Sequence, residues 1–376
     1  MNAASAADVQ RTFAAVDLIA LRNNVRLLSK RFGDICAVGK ADAYGHGLVP
    51  CARAAVSGGA AAIAVATPAE GQLLRACGLR LPIHVLSPAE PLAARICVHQ
   101  SLTPHISSIS FLKAFLDAGG RIQDCYLMVD SGMGREGLIS ASCIDELVTL
   151  SSTGSFGGLS THLASADSPS DISLNHQYTA FAKDIKQLKM HGIIDETAVV
   201  SINNSAGMLW NETIPECTNP VLHRPGALIY GIAPKLDTPC LTTAVLTWRA
   251  RIHLIKSLPA GHAIGYGATY VTTRQQRIAT VGVGYADGYP RHIHADTSIL
   301  VRGQFARIVG VVSMDQLQVD VTDIPAASEG DWVTLIGTEG TESITVSMLA
   351  SWADVPVQWP TSGLSPRVPR RYTGLE

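Results

Sequence analysis

A chain of 376 residues, 47% of them hydrophobic, exceeds what one ordinary core holds and calls for about two domains, or a large barrel with a smaller companion. A formal net charge of -2 with 16% charged residues leaves no basic excess, so neither nucleic acid nor an anionic membrane is an expected partner, and a small molecule is. No run is long enough to span a bilayer. The opening MNAASAADVQRTFAAVDLIALRNNVRLL lacks the basic segment, sustained apolar run and small-residue cleavage site of an export signal, so a cytoplasmic location is expected.

In chain order, eight short β-branched runs alternate with stretches of helical periodicity. The runs are ICAVGKA (35–41), AAIAVAT (61–67), PIHVLS (82–87), LTPHIS (102–107), DCYLMVD (124–130), FGGLSTHLA (156–164), ETAVVSINNS (196–205) and VLHRPGALIYG (221–231). Between them, LVPCARAAVSGG, TPAEGQLLRACG, SISFLKAFLDAGG and SDISLNHQYTAFAKDIKQLKMHG place apolar residues at helical spacing and glycine where a helix C-cap wants it. A doubly wound sheet shows the same alternation, but a count of eight favours an α/β fold of the (β/α)8, TIM-like barrel type. From about residue 237 the period changes to two in LTTAVLTWRARIHLI, LQVDVTDI and DWVTLIG, which predicts a C-terminal, mostly-β domain. The expected division is 12–236 for the barrel and 1–11 with 237–376 for the β-domain. Eight cysteines stand singly with no CxxC pair; buried thiols are expected, with no disulfide framework and no metal site.

Barrel enzymes carry their chemistry at the C-terminal ends of the strands. Those ends hold Lys40, Asp130 and Arg135 in VDSGMGREG, His162 in STHLAS, Asn204 with Ser205, and Arg224 with Gly226. A lone lysine on a barrel rim would ordinarily snorkel to water. Held dry among other cations, it becomes an aldehyde-reactive nucleophile. The loops after strands seven and eight often bind phosphate, and here they offer the Ser205 hydroxyl and close backbone approach at Gly226. A phosphate site, a reactive lysine and cationic partners for a ring together point to pyridoxal 5'-phosphate (PLP).

AVGKADAYGHG resembles the lysine motif of the alanine racemase family. DSGMGREG, STHLASAD, INNSAG, HRPGALIYG, AIGYGATY, VGYADGYPR and VVSMDQ resemble that family's other blocks, in order, and the similarity runs from FAAVDLIALRNNVRLL to SPRVPRRY. The resemblance implies a PLP-bearing barrel followed by a β-domain that also recruits the N-terminal strand. It implies that Lys40 carries the cofactor, that Tyr44, Ser205 and Gly226 hold its phosphate, and that Arg224 faces the pyridine nitrogen. Arg135 would meet the cofactor phenolate and the substrate carboxylate, His162 would hydrogen-bond Arg224, and Asn204 would support the pocket. Tyr266 would be a second catalytic base, the backbone at Met314 would bind substrate carboxylate, and Tyr285 would line the access path. Tyr266, Tyr285, Met314 and Asp315 act across a subunit boundary in that family, so a homodimer is implied.

The chemistry accounts for the residue types. Inverting an α-carbon requires a proton to leave one face and another to arrive on the opposite face, so two bases are needed, Lys40 and Tyr266. The expected activity is interconversion of L- and D-alanine, supplying D-alanine for peptidoglycan. Two positions depart from the family pattern: Met128 stands where many relatives have a lysine whose carbamate orients the arginine, and Pro366 stands where many have a tyrosine before RVPR. Ser313 and Val311 also stand where some relatives have cysteine and arginine. A wider access path at Pro366 is the hint for an alternative, a serine or broad-substrate amino-acid racemase. A decarboxylase on the same scaffold needs an acid at the pyridine nitrogen, which Arg224 is not. A non-enzymatic PLP-binding regulatory protein would lack the β-domain.

Overall fold

The computed structural model describes residues 10–168, 172–210, 214, 217–234 and 240–374. The chain separates into two compact units, one built from residues 21–43 and 48–229, the other from the chain up to Ala20, Tyr44–Gly47 and the chain from Tyr230 on.

The first unit is the barrel. Seven parallel strands, Cys36–Val38, Ala62–Val65, Ile83–Val85, Thr103–Ile106, Tyr126–Met128, Gly158–Ser160 and Val199–Ser201, pair in sequence order. Each lies inside one of the first seven runs. Their residues are almost all buried, as strands covered by helices on one face and packed core on the other must be. The eighth run behaves differently. Only its start joins the sheet, with Val221 bridging Val200 and His223 bridging Ile35, both parallel, to close the ring. Pro225 has no N–H to extend the ladder, and although its carbonyl still accepts from Val38, Ala227–Tyr230 turns into a 3-10 helix. The helices Leu48–Ser57, Pro68–Ala76, Ile109–Asp117 and Ile172–Met190 fall within the four helical stretches.

The barrel interior is partly polar. His84 Nδ1 lies 3.1 Å from His105 Nε2, and His105 Nδ1 lies 2.7 Å from Ser160 Oγ. Burial pushes His84 down to about 3 and His105 well below its ordinary value. Both rings are therefore neutral, and each pairs as donor and acceptor without introducing charge.

The second unit is β-rich. Among the described residues its main sheet has nine strands, running from Gln304–Arg307 through Ser298–Val301, Trp332–Glu339, Leu246–Leu258 and Thr12–Asp17 to Arg370–Thr373, with Gln276–Val281, Leu317–Asp320 and Glu342–Ile344 branching off. The thirteen-residue strand Leu246–Leu258 is its spine, alternating buried and less buried positions along its first half. Thr12–Asp17 pairs antiparallel with that spine and parallel with Arg370–Thr373. Buried Trp248 donates Nε1–H to the Thr12 hydroxyl at 2.9 Å, which donates to the Arg249 carbonyl at 2.7 Å. Residues 12–17 thus belong to the β-rich sheet and not to the barrel that was expected to begin at residue 12. The deciding partner is more than 230 residues away in sequence, so no local pattern marks this boundary.

All eight cysteines are free thiols; Cys36, Cys51, Cys97 and Cys125 are buried as expected, while Cys240 is exposed. Among the described residues no helix is long and apolar enough to cross a membrane.

Candidate active site

The first barrel strand runs into Lys40 through Gly39, whose N–H bonds Ala64 O at 2.7 Å. Directly after Lys40 the backbone turns left-handed for four residues, with φ of 54°, 54°, 56° and 54° at Ala41, Asp42, Ala43 and Tyr44. None is glycine, and an L-residue in this region costs roughly 1–2 kcal/mol. Local hydrogen bonds hold the turn: Ala43 N–H to Gly39 O at 2.7 Å, Leu48 N–H to Asp42 Oδ1 at 2.7 Å, and Ala41 N–H to Glu70 Oε1 at 2.8 Å.

Glu70 does two jobs. Its Oε2 completes the capping box of the helix Pro68–Ala76 by taking the N–H of Thr67 at 3.1 Å, with that of Ala66 at 2.8 Å, while its Oε1 takes the Ala41 N–H. The motif TPAE announces such a cap, but not that its carboxylate also anchors the Lys40 turn. Glu70→Ala is expected to lower stability by about 1–2 kcal/mol, with Glu70→Gln recovering part of it because one oxygen still accepts. Urea unfolding of the three proteins checks this; equal midpoints would remove the coupling.

At the strand ends lies a cavity of about 380 Å³ whose lining includes Lys40, Met128, Arg135, Glu136, His162 and Arg224. Burial lowers the Lys40 ammonium, Arg135 and Arg224 push the same way, and Glu136 and Glu70 oppose them. Arg224, 5% exposed, donates Nη1–H to Ser201 Oγ at 2.5 Å and Nη2–H to Thr161 O at 2.6 Å. Burial brings it down to about 10, so it stays a cation at neutral pH. Its bonds to Ser201 and Thr161 stand where a bond to His162 was expected. Burial, then the charges of Arg224, Arg135 and Lys40, bring His162 down to about 3. The imidazole is neutral, and the cationic field of the cavity comes from the arginines and the lysine.

The loop carrying Arg135 is closed at its base, with Leu138 N–H on Met128 O at 2.8 Å and Asp130 N–H on Leu138 O at 3.0 Å. Gly137 sits at φ 102°, where an added Cβ would lie 2.6 Å from the Val129 carbonyl carbon, so this return of the chain admits only glycine. Inside the loop, Asp130 collects the N–H groups of Gly132, Met133 and Gly134. Burial raises its carboxyl, but those three bonds outweigh burial and hold it below the ordinary range. Arg135 Nη2 then meets Glu136 Oε1 at 2.5 Å. Met128, on the same wall, accepts a hydrogen bond from Ser160 Oγ at its sulfur, 3.2 Å. Glu136 and His105 escaped the sequence reading. In GREG the Glu136 carboxylate reads as an ordinary surface charge, and His105 is one residue within an apolar run.

Ser205 and Gly226 come together at the ends of neighbouring staves. The Ser205 hydroxyl oxygen accepts from Gly226 N–H at 2.9 Å and Leu228 N–H at 3.2 Å, keeping its own proton to donate. Asn204 Oδ1 caps the short helix Ser205–Trp210 through Ala206 and Gly207 N–H. These residues are not among those lining the Lys40 cavity.

The remaining expected site residues belong to the β-rich unit. Tyr44 packs its ring 5.1 Å from that of Tyr230, and burial pushes its phenol up to about 12. Tyr266 opens a 3-10 turn between Gly265 and Gly267, both left-handed, and is 69% exposed. Tyr285 lies under the guanidinium of Arg291 at 5.3 Å. Its segment is laced to that of Met314 by Tyr285 N–H to Ser313 O and Ala286 N–H to Met314 O, both 3.0 Å. Asp315 is gripped by Arg367 at 2.5 Å, and Arg11 joins the Asp315 carbonyl to buried Asp287.

The sequence matches the family described as alanine racemase, N-terminal domain, over residues 16–234, and that described as alanine racemase, C-terminal domain, over residues 245–372. It is 39% identical over 373 residues to an alanine racemase of Symbiobacterium thermophilum, covering 96% of this chain and 97% of the relative. The fold superposes on the crystal structure of alanine racemase from D-cycloserine-producing Streptomyces lavendulae with a TM-score of 0.89 at 32% identity, covering 98% of each chain. It superposes on the alanine racemase from Bartonella henselae with covalently bound pyridoxal phosphate at a TM-score of 0.84 and 27% identity, covering 96% of this chain and 99% of the other.

Proposed function

From the premise that the chain belongs to the alanine racemase family, we propose that it is a PLP-dependent racemase interconverting L- and D-alanine. The observation that carries this reading is Lys40 at the end of its strand, in a cavity shared with Arg135 and Arg224. The residues fit the cofactor: an amine lowered toward its neutral, aldehyde-reactive form, and a serine hydroxyl whose oxygen accepts from two backbone N–H groups, leaving its own proton to donate to the phosphate. Lys40, Tyr44, Asn204, Ser205, Arg224 and Gly226 would hold PLP, which when bound supplies the electron sink for removal of the α-proton.

The chain's own groups do the rest. Lys40 takes or returns the α-proton on one face, and Tyr266 of a second copy does so on the other. Arg135 and the Met314 backbone bind the substrate carboxylate, with Tyr285 and Asp315 shaping the approach. The β-domain therefore contributes its base in trans, which requires a homodimer. A cytoplasmic enzyme of this kind would supply D-alanine for peptidoglycan.

The test is α-proton exchange by NMR in deuterated water, with the PLP-loaded protein offered L-alanine, L-serine and L-lysine separately and the products resolved by chirality. Dominant turnover of alanine supports the reading. Comparable turnover of serine or lysine selects the broad-substrate racemase, to which Pro366 points, and no exchange with PLP bound selects a regulatory protein.

A further inference from the structure

Among the residues lining the Lys40 cavity there is a single carboxylate, Glu136, facing three basic side chains, Lys40, Arg135 and Arg224. It is the more buried partner of its ion pair, its side chain 12% exposed against 51% for Arg135. Consecutive side chains usually diverge. Here Gly134 at φ 69° and Gly137 at φ 102° bend the chain on either side of the pair, so that both point to one place. The loop beneath is fixed by the Asp130 cage and by the two backbone bonds at its base. The wall beside it at Met128 brings no charge.

We propose that Glu136 is a positioning residue, the built-in counter-charge that aims the Arg135 guanidinium at the substrate carboxylate; this rests on the racemase reading above. A guanidinium has five N–H donors, and this pair engages one nitrogen, leaving a second edge to present to an incoming carboxylate. By partly neutralising Arg135, Glu136 also keeps that arginine from clamping the substrate too tightly for turnover. The charged and titratable groups around Lys40 are Arg135, Arg224, Glu70, His105, His162 and Glu136, of which the two histidines are neutral, so loss of Glu136 leaves the lysine facing a more cationic set. Burial and the arginines already lower its ammonium, and Glu136 is the strongest opposing influence.

The experiment compares PLP-loaded wild type, Glu136→Gln and Glu136→Asp. The readouts are kcat and KM for both alanine enantiomers, and the pH at which the visible absorption of the lysine-bound cofactor titrates. For Glu136→Gln we expect kcat to fall by about 10- to 100-fold from misaimed Arg135, with KM unchanged or lower, and the absorption transition to move down by about one pH unit. Glu136→Asp keeps the charge but draws it back, so kcat falls less and the transition stays at the wild-type pH. A merely structural role would lower thermal stability and kcat together in both variants and leave the transition where it was. Wild-type kcat, KM and transition in Glu136→Gln would overturn the proposal. If that variant does not fold, Glu136→Asp with unimpaired kcat overturns it. Absence of alanine turnover in the wild type would instead remove the racemase reading, while the absorption shift still reports on Glu136.

Discussion

Lys40→Ala is expected to lower kcat/KM for alanine by about five orders of magnitude in both directions, since on the reading proposed above one substitution removes the cofactor's anchor and one of the two bases. The fold should not suffer. A partly buried amine beside two guanidinium groups is costly to keep in place, so, both free of PLP, the alanine variant should unfold at the same or a higher temperature than the wild type. The two readouts together separate a lost reaction from a lost structure. Chiral chromatography of the product, followed over days, measures the residue of activity. A variant retaining more than about one part in a thousand would mean that another amine holds the cofactor, well short of the effect expected for an essential nucleophile.

Tyr266→Phe is expected to cost about 10³ in racemisation, or about 4 kcal/mol of transition-state stabilisation, as fits the loss of one positioned acid–base group. The side chain is 69% exposed, so loss of its hydroxyl should leave stability unchanged within about 0.5 kcal/mol. The informative readout is asymmetric. With the Lys40 face intact, the enantiomer whose α-proton lies on that side should still exchange it with deuterated water and return as the same enantiomer, while the other enantiomer should not exchange. Normal racemisation from both would mean that a different group serves the second face.

Much of this was legible beforehand because it is written in short-range patterns. Seven of the eight barrel strands and four helices follow from apolar periodicity and glycine stops. Lys40, Arg135, His162 and Arg224, called from their places at strand ends, line one cavity. What escaped depends on long-range partners or on atoms rather than residue types. The strand Thr12–Asp17 takes its allegiance from Leu246–Leu258 and Arg370–Thr373. The eighth stave stops early because Pro225 cannot donate, a signal present in HRPGAL. Arg224 turns to Ser201 and Thr161 because those acceptors lie within reach of its buried head, which spacing does not encode. Glu136 reads as an ordinary surface charge until the glycines around it are given their dihedral angles.

The left-handed turn after Lys40 bears on the order in which the molecule assembles. An isolated peptide with this sequence would not adopt such a turn, since each of its residues prefers another conformation. Its supports, the Gly39 carbonyl on strand one and the Glu70 carboxylate on a later helix, exist only once those elements have docked. The lysine therefore acquires its bearing only after the first strand and the helix Pro68–Ala76 have packed together, and a chain that has not made this contact cannot hold it in the native orientation. On the reading proposed above, capture of PLP by Lys40 then reports that this strand–helix packing is in place.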